Sequence, residues 1–221
     1  IPRLPAHGSP RWDACRGYAL DAMKTKTPKR GSGVDAPIRA FKDAASWDSW
    51  LAKNQNTADG IWVRIAKKAS GTKSMTYPEA VEIALCHGWI DGLKRPESDT
   101  AWLQRFTPRR QKSFWSQINR EKAMALIASG QMKPAGLAEV ERAKRDGRWD
   151  SAYASPKSAT MSADFNKELD RHPKARAFFE TLSKTNSYAI LWRIQTAVKP
   201  ETRAKRIKTY IEMLEKGATF H

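Results

Sequence analysis

The stretch from Trp89 to Asn119 sets aromatic rings and six cationic side chains along one short length of chain. It reads Gly88-Trp89-Ile90-Asp91-Gly92, then Trp102 to Arg110 with Arg105, Arg109 and Arg110, then Ser113-Phe-Trp-Ser-Gln-Ile-Asn119. A guanidinium stacks on an aromatic face and forks onto phosphate or carboxylate, so this composition suits a planar or anionic ligand. Pro108 ends an extended segment, two arginines follow, and Ser113 is read as the cap of a helix whose free N–H groups attract anions. Arg105, Arg109, Arg110, Ser113, Ser116 and Asn119 are therefore the candidate anion ligands, and Trp89 and Trp102 the candidate stacking faces. In the alternative, Arg109 and Arg110 pair with Asp91, Asp99 or Glu121 and merely tie the segments together.

A second constellation, Glu82, His87 and Asp91, is the candidate for acid–base catalysis. A histidine at a helix end beside carboxylates is poised to act as a base near neutral pH. The same histidine also complements the helix dipole, and Asp91 before Gly92 is an ordinary turn residue. The chain has no Gly-rich phosphate loop, no Cys-x-x-Cys, no His-Glu-x-x-His and no Gly-x-Ser-x-Gly elbow. Its four histidines are dispersed, so no metal site and no cofactor are expected.

The elements that must hold these residues are legible from caps and spacing. Ser46 is read as the N-cap of a helix from Trp47 to Asn54, and Ile61 to Ile65 as a strand. Thr76 caps the helix that ends at His87, with Pro78 in its first turn, Glu79 as capping-box partner and Gly88 as its stop. Trp89 to Leu93 and Trp102 to Phe106 read as two strands of a hairpin, giving a small antiparallel sheet of three strands. Trp50, Trp62 and Trp115 are expected in the core. After Pro108 the signals turn helical: Ser113 to Ser129 with Trp115, Ile118, Ala123 and Leu126 inward, then Ala135 to Arg145. Residues 150–162 read as a linker, followed by helices near 162–171, 173–183, 187–198 and 201–216. The fold class is α+β, predominantly helical: a family core over 41–150 and a C-terminal helical module over 160–217.

Composition bounds the function. The 221 residues are 40% hydrophobic with nine Trp, enough for packed cores, and no run of about 18 apolar residues could span a membrane. Residues 1–40, with prolines at 2, 5, 10, 28 and 37, read as a disordered basic tail. Met23 followed by Lys-Thr-Lys-Thr-Pro-Lys-Arg reads as an ordinary cytosolic start, which makes 1–22 an upstream stretch. Of the two cysteines Cys86 reads as a small buried hydrophobe, and a reducing, cytoplasmic compartment follows. The net charge is +17; residues 1–45 hold nine Lys/Arg against four Asp/Glu, so the remainder keeps +12. Such an excess makes nucleic acid, anionic lipid or an acidic protein surface the first partners to consider, whereas its plainer reading is a solvated surface.

The string Tyr77-Pro-Glu-Ala-Val-Glu-Ile-Ala-Leu-Cys-His-Gly-Trp-Ile-Asp-Gly92 resembles the signature of the YdeI/OmpD-associated family, described as bacteriocin-protection proteins. Phe106 to Asn119 and Gly130 to Gly136 resemble its next blocks, and Ala197 to Ile207 resembles its C-terminal helical module. The likeness runs from about Trp47 to Gly217. It implies a bacterial protein of the cytosolic type, with a protection label that names an association rather than a reaction. The leading expectation is a non-enzymatic stress or bacteriocin-tolerance protein that binds nucleic acid or another polyanion through its arginine–tryptophan surface. The rival is an enzyme of unrecognised type acting on a small anionic substrate through Glu82, His87 and Asp91.

Overall fold

The computed structural model describes residues 36–72 and 74–220, so the tail expected over 1–40 falls almost wholly outside the described residues. Four strands, β1 (Ile38–Ala40), β2 (Ile61–Ala66), β3 (Trp89–Pro96) and β4 (Ala101–Pro108), form one sheet in the order β1-β2-β4-β3. β2, β4 and β3 are antiparallel as expected, but β1 lies parallel to β2, with Ile38 opposite Trp62, so the sheet is mixed and has a fourth strand. No local pattern announces β1. It is three exposed residues long, and its pairing partner is more than twenty positions away.

Helix α1 (Ala44–Asn54) begins earlier than expected: Asp43 is the cap, and Ser46 is its reciprocal partner in a capping box. Asp43 Oδ1 accepts from the Ser46 amide at 2.8 Å. Helix α2 (Tyr77–Cys86) follows its sequence signals closely, with Thr76 and Glu79 closing the box and Pro78 in the first turn. Gly88, at φ +71, reverses the chain into β3, where a Cβ would stand 3.0 Å from the Ala135 carbonyl oxygen. Helix α3 (Gln117–Ala128) starts after the expected position, because Ser116 caps it while Ser113 closes the preceding turn. Trp115 therefore precedes the helix, and Ile118 is 52% exposed rather than inward. Helix α4 (Pro134–Arg145) packs on the end of α2 at Gly136, where any Cβ would meet the Cys86 and Leu85 carbonyl oxygens at 2.5 and 2.6 Å.

One face of the sheet closes the first core. Period-two alternation turns Ile61, Val63 and Ile65 inward beside Phe106, against α1, α2 and the fully buried Trp47, Trp89 and Trp115. A second core gathers Phe165, Leu169, Phe179, Ile190, Ile194, Ile211 and Leu214 from α5 (Ala163–Arg171), α6 (Pro173–Thr181), α7 (Lys184–Gln195) and α8 (Pro200–Glu215). The stretch read as a linker is pinned between the two. Ala152 and Ala154 are buried, Tyr153 bridges to Ser116, and Gln195 bonds the Ala154 amide at 3.0 Å and the Ala152 carbonyl at 3.2 Å. Backbone polar groups, satisfied by a glutamine from α7, order a segment whose side chains carry little hydrophobic signal.

Candidate anion-binding site

The hairpin end of the sheet concentrates exposed cations around one ring. Trp102, half-buried at the start of β4, pairs with Pro96 of β3 and Ile65 of β2. Lys94 stands diagonally across the β3–β4 pair and holds its ammonium 4.2 Å from the Trp102 ring centroid. Tyr77, at the start of α2, packs tilted against the same ring with centroids 5.5 Å apart. The loop after β2 brings Lys67 and Lys68 alongside; Lys67 is tied to the hairpin turn through Ser98 O at 2.9 Å and Thr100 O at 2.8 Å. Together Lys67, Lys68, Lys94, Pro96 and Trp102 line an open hollow of about 620 Å³ with three ammonium groups and no carboxylate. A second hollow of about 310 Å³ continues past Trp102 toward Tyr77, Thr76 and Ser74.

The outer face of the sheet carries the other cation–aromatic set. Trp62 is 3% exposed, buried as expected, but on the face of the sheet opposite Ile61 and Val63. The Arg95 and Arg105 guanidinium groups lie over its ring at 4.6 and 5.7 Å. Next to them Arg64 grips the Glu97 carboxylate with two bonds of 2.7 and 2.6 Å. Burial pushes the Arg105 guanidinium below its ordinary value, with Asp59 pulling it back up.

Arg109 is not on the surface. It is 6% exposed, stacks on Trp115 at 3.5 Å, and donates through Nη1 to the Phe114 carbonyl at 3.3 Å. Burial pushes its pKa down to about 9, against the opposing pull of Glu139 and Asp91. Arg142 holds Glu139, and Arg148 clamps Asp146 while donating to the Ser113 carbonyl at 2.5 Å. Two ion pairs, Arg142 with Glu139 and Arg148 with Asp146, thus stand beside Arg109, whose Nε and Nη2 are buried without a hydrogen-bond partner among the described residues. Arg109 gives its bond to the Phe114 carbonyl rather than to Asp91, Asp99 or Glu121, and Arg110 is exposed and gives its amide to Ser113 Oγ at 3.0 Å.

Other expected ligands are also committed elsewhere. Trp89 is 1% exposed, edge-on to Trp50 at 5.9 Å and Trp47 at 6.4 Å, with its Nε1 donating to Gln55 O. It offers no face for stacking, because the pleat of β3 turns it into the core. At the α3 start, the Asn119 amide goes to Ser116 Oγ at 3.1 Å and the Gln117 amide to Tyr153 O at 2.8 Å, so those N–H groups are taken.

The catalytic candidates are each held by a different partner. His87, 5% exposed, spans Gln55 Oε1 at 2.6 Å and Asp48 Oδ1 at 2.8 Å. Asp91 accepts from the Tyr77 hydroxyl at 2.6 Å, and Glu82 pairs with Lys122. A groove of about 550 Å³ touches Asp48, Glu82 and Cys86, but His87 is not among its walls. Burial raises the Cys86 thiol, which keeps it protonated.

Sequence reasoning missed Lys67, Lys68, Lys94 and Arg95. Their signal was available: pairing the two hairpin strands through the Lys94-Arg95-Pro96 turn approach would have set Lys94 diagonal to Trp102.

Residues 39–139 match the model of a domain of unknown function, DUF8412. Residues 158–217 match the model of the family described as bacteriocin-protection, YdeI or OmpD-associated. No curated protein and no solved structure matches the chain.

Proposed function

We propose, from the match of residues 158–217 to the bacteriocin-protection, YdeI or OmpD-associated family, that this is a non-enzymatic tolerance protein with an anionic partner. The partner is single-stranded nucleic acid, and it docks at the hairpin end of the sheet. The observation that carries this reading is the hollow around Trp102, where Lys67, Lys68 and Lys94 converge without a carboxylate. A base stacking on the exposed part of the Trp102 ring would take the position now held by the Lys94 ammonium, which is then free to meet the adjoining phosphate. The outer-face set of Arg95, Arg105 and Trp62, with the exposed Arg110, extends the positive field.

The test is a fluorescence anisotropy titration of labelled oligo-dT and oligo-U at two salt concentrations. Binding should weaken with salt, the log–log slope falling by about 0.7 for each phosphate contact removed. Lys67→Ala with Lys68→Ala and Lys94→Ala should flatten that slope by about two units if all three lysines reach phosphates. Binding that is absent at low salt, or unchanged in the triple variant, overturns the proposal.

A further inference from the structure

The C-terminal module carries a groove of opposite character. Helices α5 and α8 leave a trough of about 570 Å³ between them. Its floor is apolar: Pro200, Ala204, Ile207 and Ile211 recur at helical spacing along one side of α8. Carboxylates rise on both walls, Asp164 and Glu168 from α5, and Glu212 and Glu215 from α8.

Arg203 is spent on Asp164, with bonds of 2.6 and 2.7 Å, and on the Ile194 carbonyl at 2.8 Å, so that pair cancels. His172 sits between Glu168 at 3.6 Å and Glu215 at 2.7 Å, and Arg171 also touches Glu168 at 3.1 Å from the helix exterior. Within the trough Lys208 is the remaining cation against Glu168, Glu212 and Glu215. Four carboxylates against Arg203, Lys208 and His172 leave the lining net negative, on a chain whose total is +17.

We infer that the α5–α8 groove is a docking site for a cationic amphipathic helical peptide. An apolar stripe at i, i+3, i+4 and i+7 lies along the exposed Pro200 and Ala204 above the buried Ile207 and Ile211, and lysines flanking that stripe on both sides meet Glu168 on one wall and Glu212 and Glu215 on the other. The sixteen residues of α8 extend about 24 Å, which accommodates a helix of four turns. Charge complementarity selects this occupant over an anionic or neutral one. It also isolates the site, because the positive field elsewhere on the molecule repels the same peptide.

The experiment titrates the full chain with three fluorescein-labelled 16-residue peptides. One has Leu at helical spacing with Lys elsewhere, the second is a scramble of the same composition, and the third replaces Lys with Gln in the ordered stripe. The ordered cationic peptide should bind at least tenfold more tightly than either control. Glu168→Lys with Glu212→Lys should abolish that preference, and Ala204→Trp, which plugs the floor at an exposed position, should do so without altering the rim. Circular dichroism checks that both variants are folded; if the charge-reversed variant is not, the Ala204→Trp result decides. The lysine-to-alanine triple variant of the hairpin end should bind the peptide at least as well as the parent, which separates this site from the nucleic-acid proposal. Equal binding of ordered and scrambled peptides, equal binding of the Gln peptide, or full binding by folded Ala204→Trp overturns the inference.

Discussion

The ammonium of Lys94 stands 4.2 Å from the centroid of the Trp102 ring, reached diagonally across two antiparallel strands. That contact covers an aromatic face with the ammonium of an exposed side chain. The face can be exchanged to a ligand, because an exposed cation–π contact is worth only about 0.5–1 kcal/mol, whereas a stacked base is worth about 1–3 kcal/mol.

Trp102→Ala should therefore weaken oligonucleotide binding by roughly 5- to 100-fold, the equivalent of one stacked base. Trp102→Phe should recover part of the loss, since the smaller ring still stacks. Anisotropy with oligo-dT at fixed salt measures both. Identical affinities for the parent and the Ala variant would show that Trp102 meets no base.

Arg109 predicts a stability effect rather than a binding effect. Arg109→Ala removes the Trp115 stack and a counter-charge of Glu139, and should lower urea-unfolding stability by about 3 kcal/mol. Arg109→Met keeps volume over the ring without a buried charge and should restore more than half of it. The pKa of Arg109 is depressed to about 9, so above pH 9 the folded state holds fewer protons than the unfolded one. This group then contributes stability that increases with pH above 9, and both variants should lose that rise.

Tyr77 acts in the opposite sense. Burial, and then its bond to the Asp91 carboxylate, raise the phenol above its ordinary range. A raised pKa stabilises the fold below the unfolded value of about 10, and that contribution is lost as pH climbs past it. Tyr77→Phe should cost about 1–2 kcal/mol at pH 7, and its deficit relative to the parent should shrink above pH 10. Urea midpoints at pH 7, 9 and 11 test this. A deficit that stays constant would contradict the bond to Asp91.

Gly136 probes the seam between α2 and α4. Gly136→Ala places a methyl 2.5 Å from the Cys86 carbonyl oxygen, and backbone cannot move aside cheaply. The expected loss is about 1–3 kcal/mol in thermal or urea unfolding. A variant as stable as the parent would mean that the two helices separate without cost.

What the sequence by itself determined was local. Thr76, Pro78, Glu79 and Gly88 delimit α2 because capping and left-handed backbone are properties of a few adjacent residues. Helix α8 and the hairpin of β3 and β4 were legible for the same reason, and the likeness of the C-terminal segment to the YdeI/OmpD-associated family stood in the order of its residues. Tertiary structure decided which face each side chain met. β1 pairs with a distant strand, Trp89 turns inward, Trp62 turns to the outer face, and Arg109 meets Glu139 from a helix thirty residues on. Spacing cannot rank these outcomes, since a tryptophan or arginine at a strand end is equally compatible with core, ion pair or ligand. The choice is made by what packs against it: Arg109 is buried on Trp115 beside two ion pairs, while lysines from the loop after β2 and from β3 converge on Trp102.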